Sequence, residues 1–268
     1  MASKETVLIT GCSEGGIGHA LAFQFQQKGY HVFATARDVS KVGNLKDLGN
    51  VTVLQLDVVE SSHIAAAVEA VTKATGGSLN YLINNAGRSH FNPVLDEDLD
   101  SVRALFELNV FGPLALVKAF APLVIKAKGG IAFITSLSGY LNTPYMGTYA
   151  ATKRSLELIA ETLRLEVAPF GVNVTSSVTG PVASLGQTHF DNYSLPANSL
   201  YKPIEATIKS RAQGNDGIPR TPTDEYATAV ADAIIKRTPG KFWYGQTAEM
   251  VKMSTTAVGV PQDVMVSG

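Results

Sequence analysis

Residues 10–18 read Thr-Gly-Cys-Ser-Glu-Gly-Gly-Ile-Gly, and their neighbours decide what they mean. Val7–Thr10 is a short apolar run ahead of them. Behind them Ile17, Ala20, Leu21 and Phe25 keep the i, i+3, i+4, i+8 spacing of a helix face. A glycine-rich turn between a strand and a helix lets the backbone approach a pyrophosphate, and the helix N-terminus adds free N–H groups and a positive dipole end. Gly11, Ser13, Gly16, Ile17 and Gly18 are therefore candidates for holding a dinucleotide. The same stretch holds a rival. Gly11-Cys12-Ser13-Glu14-Gly15 is a G-x-S-x-G, which in this context also describes the nucleophile elbow of a serine hydrolase with Ser13 as nucleophile. That reading leaves no upstream loop for the second oxyanion N–H and no role for Gly16 or Gly18. It also needs a histidine at His189 or earlier. Labelling by a serine-directed fluorophosphonate separates the two.

Outward from this turn, β-rich runs alternate with helical patterns. Strands are predicted at Val7–Thr10, His31–Thr35, Val51–Leu56, Tyr81–Ile83, Ile131–Thr135, Val172–Val178 and Phe242–Tyr244. The early runs are almost continuously apolar, as parallel strands covered on both faces should be. A long helix face follows at Leu156, Ile159, Ala160, Leu163 and Val167. Thr221-Pro222 reads as an N-cap with proline at the first position of a helix through about Arg237. The alternation predicts an α/β fold, a doubly wound parallel sheet of seven strands with helices on both faces. One domain over residues 1–268 is expected. Ser184–Arg220 breaks the rhythm with Pro196, Pro203, Pro219 and scattered asparagines, and reads as a lid over a substrate.

Composition narrows the function. A net charge of −1 over 268 residues removes any broad drive toward nucleic acid or anionic membrane. Hydrophobic residues at 45% and charged ones at 17% describe a packed globule. A single cysteine excludes a disulfide framework, and the five histidines lack metal-ligand spacing, so no metal is expected. MASKETVLIT enters a strand at once, leaving no room for a signal segment, and a cytoplasmic location is expected. Val110–Ala127 is apolar but carries Lys118, Lys126 and two prolines, which suits a buried helix better than a membrane span.

Three positions refine the dinucleotide reading. The second strand ends in Thr35-Ala36-Arg37, where folds of this kind that use the non-phosphorylated cofactor place an acid on the ribose. Ala36 removes the acid and Arg37 offers a cation to a 2′-phosphate, pointing to NADP(H). Asp38 is read as opening the next helix. Asp57 ends the third strand, within reach of an adenine amino group. Tyr149 and Lys153 lie at i and i+4 of the long helix, one turn apart on one face. An adjacent cation stabilises tyrosinate and lowers the phenol pKa from its usual ~10.

Fixed distances then bring these features together. Ser136 precedes Tyr149 by 13 residues and Asn109 precedes it by 40, while Asn84-Asn85-Ala86-Gly87 ends the fourth strand. With Asp57-Val58 and Asn109-x-x-Gly112, the chain resembles the short-chain dehydrogenase/reductase family over nearly its whole length. Within that family it is most similar to the fungal 1-acyldihydroxyacetone-phosphate reductases and the 17β-hydroxysteroid dehydrogenase-like branch. The resemblance implies that Tyr149 is the general acid in reduction and that Lys153 lowers its pKa and holds the nicotinamide ribose. It implies that Ser136 polarises the substrate carbonyl and that Asn109 holds a water of the proton relay. Asn85, Ala86 and Gly87 would line the cofactor groove, and Gly180, Val182 and Ser184 the carboxamide side. An intact Ser136–Tyr149–Lys153 set argues against a non-catalytic NADP-binding sensor.

Two departures stand out. The glycine loop is one residue longer than the family's and carries Glu14. Thr179-Gly180 replaces the family's Pro-Gly, which predicts a looser nicotinamide-side loop. The first of those two groups carries an apolar C-terminal tail, whereas residues 258–268 here read VGVPQDVMVSG. Arg88–Asp98, Leu137–Gly147 and Ser184–Arg220 should overhang the nicotinamide. They bring Phe91, Tyr140, Leu141, Tyr145, Met146, Phe190, Tyr193 and Tyr201, which predicts a bulky, largely apolar carbonyl or alcohol substrate, a secondary metabolite or a lipid-like molecule. Lys202, Lys209, Arg211 and Arg220 read as solvated cations. The apolar surface of helices Leu99–Lys126 and Tyr149–Ala168 predicts a homodimer or homotetramer.

Overall fold

The computed structural model describes residues 4–256. The strands are β1 (Thr6–Ile9), β2 (His31–Ala36), β3 (Val51–Gln55), β4 (Tyr81–Asn84), β5 (Gly130–Ser136), β6 (Asn173–Thr179), β7 (Val182–Ala183), β8 (Thr221–Pro222) and β9 (Gly240–Tyr244). The helices are α1 (Ile17–Gln27), α2 (Ser61–Thr75), α3 (Leu99–Phe106), α4 (Gly112–Ala127), α5 (Gly147–Val167), α6 (Glu205–Ala212), α7 (Thr223–Ile235) and α8 (Ala248–Thr256). Seven strands form one parallel sheet in the order β3-β2-β1-β4-β5-β6-β9. Every strand expected from the sequence is present, with ends within two residues of the expectation.

Strand alternation explains the two layers. Val7 and Ile9 face a core shared with Leu21 and Phe25 of α1 and Tyr226 and Val230 of α7. Leu8 and Phe33 face the opposite core, filled by Ile64 of α2, Phe120 of α4 and Leu156 of α5. Both faces being covered is why these strands read as unbroken apolar runs. β1 lies between β2 and β4, so the chain winds away from it in both directions and a crevice opens at the strand C-termini. On the other side of the sheet the register sets Ser136 level with Thr179, and Thr179 level with Tyr244.

The helix Leu99–Ala127 is long and apolar enough, by length and composition alone, to cross a membrane, but half of its apolar window is buried. Leu116, Phe120 and Val124 pack under the sheet, as a core helix does. Its backbone widens to a π-helical stretch at Glu107–Phe111, around Asn109.

One expectation is shifted. The helix read after Thr221-Pro222 is present as α7, but Thr221-Pro222 is itself β8, paired with β7, and α7 begins at Thr223 with Pro222, not Thr221, as its N-cap. The Thr221 N–H donates to Pro181 O at 3.0 Å and its hydroxyl accepts from Gln246 N at 2.8 Å, which holds the pair extended. The segment 184–220 has secondary structure of its own. It contains 3-10 turns at Leu185–Phe190 and Lys202–Ile204, then α6, and Phe190, Leu195, Ile208 and Ala212 bury themselves with Phe91 in a small third core. An eight-residue helix is too short to impose a visible hydrophobic period.

Candidate active site

The crevice between β1 and β4 is closed by hydrogen bonds between side chains and backbone. Thr10 Oγ1 accepts the N–H groups of Asn85 and Ala86 at 3.0 and 2.9 Å, and Asn85 Nδ2 donates to Thr10 O at 2.7 Å. The turn approaches Asn85 and Ala86 so closely that side chains are excluded. A Cβ at Gly18 would lie 2.4 Å from Gly11 O, and one at Gly11, itself at φ +73°, would lie 3.0 Å from Ala86 Cα. Gly16 caps α1 without a side-chain hydrogen bond, so the first N–H groups of the helix, from Ile17 on, keep no capping partner. An open backbone cradle before a helix N-terminus fits the pyrophosphate of a dinucleotide.

Glu14, the acid of the lengthened loop, turns away from that cradle. Its N–H donates to Lys41 O at 2.8 Å, and its carboxylate lies over Gly43, beyond β2. Cys12 is buried, its thiol pushed up to about 12 by burial, as a packed rather than reactive residue should be. Ser13 closes the turn through its carbonyl, which accepts the Gly16 N–H at 3.1 Å. Four histidines pair elsewhere: His19 with Asn44, His31 with Thr52, His63 with the Asp57 N–H and His90 with Glu97. The side chain of His189 lies outside the described residues.

Arg37 follows β2 and is exposed. Asp38 accepts from Ser40 N at 3.0 Å and caps the 3-10 turn Val39–Asp47, the role read from the sequence. Asp57 accepts from Val59 N at 3.3 Å at the end of β3, and Val58 is buried against Gly112. Across the sheet, Val182 is buried in β7, and the Ser184 N–H returns to Val182 O at 2.9 Å. The predicted looseness at Thr179 is not found. Its hydroxyl lies 2.6 Å from that of the fully buried Tyr226, which also meets Ser177 at 2.9 Å, while the Gly180 N–H donates to Tyr244 O at 2.9 Å. Hydrogen bonds supply the restraint that a proline ring would.

Ser136, Tyr149, Lys153 and Asn109 converge at the end of β5. Lys153 Nζ donates to Ile134 O at 2.9 Å and lies 5.8 Å from the Tyr149 ring centre. Asn109 donates to Arg88 O at 3.0 Å and to Thr152 Oγ1 at 3.1 Å, and accepts from Arg88 N at 2.9 Å. Thr152 in turn donates to Tyr149 O at 2.7 Å. The π-helical stretch thus fastens the irregular segment after Gly87 to the helix bearing Tyr149, and such widenings are frequent at functional sites. A Cβ at Gly87 would lie 3.1 Å from Asn109 Oδ1 and 3.6 Å from Lys153 Nζ, which brings this backbone against the cluster of Ser136, Tyr149, Lys153 and Asn109.

Burial dominates the electrostatics. The Tyr149 phenol is pushed up to about 12, opposed by a hydrogen bond from Ser136 and reinforced by the nearby Tyr226 phenol. Lys153 is pushed down to about 8, also by burial. The expected lowering of Tyr149 by Lys153 is therefore not seen, because the ammonium is bound to Ile134 O and desolvation of the phenolate outweighs it. At neutral pH the phenol holds its proton.

The substrate side differs from expectation. Phe91, Phe190, Tyr145, Met146, Tyr193 and Tyr201 pack against one another in the third core. Tyr140 leaves the site altogether, with its ring 4.6 Å from that of Trp243 and its hydroxyl donating to Glu157. Lys202 pairs with Glu205 at 2.8 Å and Arg220 with Asp216 at 2.9 Å, so these cations serve the lid itself. The sequence reading missed Thr10, Thr152 and Glu97. Glu97 is buried and accepts from His90 at 2.7 Å and Thr148 at 2.5 Å, joining the segment after β4 to the start of α5. Thr10 and Thr152 stand inside motifs already quoted; nothing local marks Glu97.

This geometry agrees with sequence comparison. The short chain dehydrogenase profile matches residues 5–192, and the chain belongs to that family. It is 46% identical over 246 residues to the short-chain dehydrogenase PC-15 of Penicillium crustosum, covering 91% of this chain and 90% of that one. It is 39% identical over 251 residues to an NADPH-dependent 1-acyldihydroxyacetone phosphate reductase of Schizosaccharomyces pombe, covering 91% and 82%. A short-chain dehydrogenase structure from Streptomyces avermitilis superposes with a TM-score of 0.82 at 28% identity, covering 96% and 93% of the two chains. The protein is thus an oxidoreductase with a nicotinamide cofactor and a small-molecule substrate.

Proposed function

We propose that this oxidoreductase is an NADPH-dependent reductase of a ketone or aldehyde borne on a bulky, mostly apolar molecule. The observation that carries the reading is the convergence of Ser136, Tyr149 and Lys153 beside a backbone cradle whose β2 end carries Arg37 instead of an acid. Bound NADPH supplies the hydride. Gly11, Gly16 and Gly18 shape the pyrophosphate cradle, Arg37 meets the 2′-phosphate, and Lys153 holds the nicotinamide ribose. Ser136 donates to the substrate carbonyl oxygen, and Tyr149, protonated at neutral pH, delivers a proton to it. The printed description of the Schizosaccharomyces pombe relative as NADPH-dependent supports the cofactor assignment. The partly exposed Leu141 and the exposed Leu185 and Leu200 of the lid segment support an apolar substrate.

The test is a panel of ketones and aldehydes with each reduced cofactor. A charge-assisted hydrogen bond is worth ~1.5–3 kcal/mol, so NADPH should be preferred by roughly ten- to a hundredfold, and Ala36→Asp with Arg37→Ala should reverse the preference. Equal use of NADH by the unmodified protein contradicts the assignment. The same reading makes the protein a homodimer or homotetramer. An open apolar groove of about 310 Å³ runs between α4 and α5, lined by Leu114, Val117, Leu158, Ile159 and Leu163. Sedimentation at micromolar concentration should give a dimer or larger, and a monomer contradicts it.

A further inference from the structure

Ser136 ends β5 and caps the 3-10 turn Leu137–Tyr140. Its hydroxyl oxygen accepts two hydrogen bonds from a single residue, the Ser138 N–H at 3.2 Å and the Ser138 hydroxyl at 2.9 Å. A serine oxygen has two lone pairs and one proton. With both lone pairs engaged, only the proton is left to bond. We propose that Ser138 is a positioning residue that commits Ser136 to act as a hydrogen-bond donor in proton transfer. This rests on the roles given above to Ser136 and Tyr149.

Ser138 is buried and its turn is fixed along its length. Gly139 lies so close to α5 that a Cβ would stand 3.2 Å from Arg154 N. Tyr140 anchors the far end on Glu157, a buried carboxylate that also receives Arg154 at 2.9 Å, and the Leu141 N–H returns to Ser138 O at 3.3 Å. The helix that carries Tyr149 therefore also sets the distance between the two serines. The consequence is chemical. As hydride reaches the carbonyl carbon, the phenol proton leaves Tyr149 for the substrate oxygen, and tyrosinate remains. A Ser136 that can only donate directs its one proton at the substrate oxygen before transfer or at the phenolate oxygen after it, wherever negative charge develops. A Ser136 with a free lone pair would instead accept from the phenol and hold its proton back.

Two readouts test this. Fluorotyrosine at position 149 reports phenol ionisation by fluorine NMR without any substrate, and kcat reports the chemistry. Losing one neutral hydrogen bond is worth ~0.5–1.5 kcal/mol. Ser138→Ala should therefore raise the phenol pKa by up to about 1 unit and lower kcat by about tenfold, with NADPH affinity unchanged. Ser138→Thr keeps the hydroxyl and should restore both, and Ser138→Cys, a weaker donor, should fall between. If Ser138→Ala leaves the phenol pKa and kcat at wild-type values, or if the Ala and Thr variants fall together, the inference is overturned. A phenol shift in Ser138→Ala without carbonyl turnover by the wild type would uphold the role of Ser138 and overturn the reductase reading instead.

Discussion

The crevice at the ends of β1 and β4 and the segment 184–220, which we propose is a lid, are built by different means. The crevice is made by close backbone approach and two short polar side chains, Thr10 and Asn85. Gly18 packs on Gly11 O, and Thr10 gathers the N–H groups of Asn85 and Ala86. The lid is made of side chains from distant parts of the chain. Phe91 and Phe190 meet at 6.4 Å between ring centres, Tyr145 and Tyr201 at 6.1 Å, and Ser199 donates to Asp96 at 2.5 Å. Tyr145 is held at φ +71°, a conformation uncommon for a bulky residue, with its carbonyl receiving the Asn92 N–H at 2.7 Å. A backbone cradle demands particular residues at fixed spacing. An aromatic cluster can be built in many ways and carries no fixed spacing.

The sharpest way to break that contrast is to cut one phenylalanine from the main sheet core and one from the lid. Phe133 is fully buried under the central sheet, and Phe133→Ala should cost ~3–5 kcal/mol of global stability. Phe190→Ala should loosen only the small third core, raising KM with little change in the global melting temperature. Comparable falls in melting temperature for both variants would show that the lid is part of the main cooperative unit.

A smaller effect probes the catalytic cluster between the two regions. The fall of Lys153 from 10.5 to about 8 means the folded state binds its proton less tightly than the unfolded chain. Stability then rises with pH between about 8 and 10.5, and below that window the full penalty, roughly 3 kcal/mol, applies. Lys153→Met should melt higher than wild type at pH 7 and lose that advantage as the pH approaches 10.5, while turnover and cofactor affinity both fall. A variant less stable than wild type at pH 7 would show that the bond to Ile134 O outweighs desolvation.

The same contrast explains what the sequence made legible. The sheet was readable because β1, β2, β4, β5 and β6 are buried almost throughout, and the crevice because Gly11, Gly18, Asn85 and Gly87 answer to close backbone approach. Ser136, Tyr149 and Lys153 were found by their fixed separations. Tyr140 was misplaced because nothing local marks its partner: Glu157 lies 17 residues on, in α5, and Trp243 in β9. Thr179 was expected to loosen its loop because Tyr226, which restrains it, is 47 residues away. The ordering of residues 184–220 was hidden for the same reason, since Phe91 and Tyr145 belong to other segments. Long-range side-chain pairing leaves no period or motif to read.

The most direct test of the account is Tyr149→Phe, which keeps the ring and removes only the transferable proton. With a carbonyl substrate found in the panel, kcat should fall by ~10²–10⁴-fold, the usual worth of general acid catalysis, while NADPH affinity and melting temperature stay near the wild-type values. Near-normal turnover by Tyr149→Phe would contradict the assignment of Tyr149 as proton donor and the mechanism built on it.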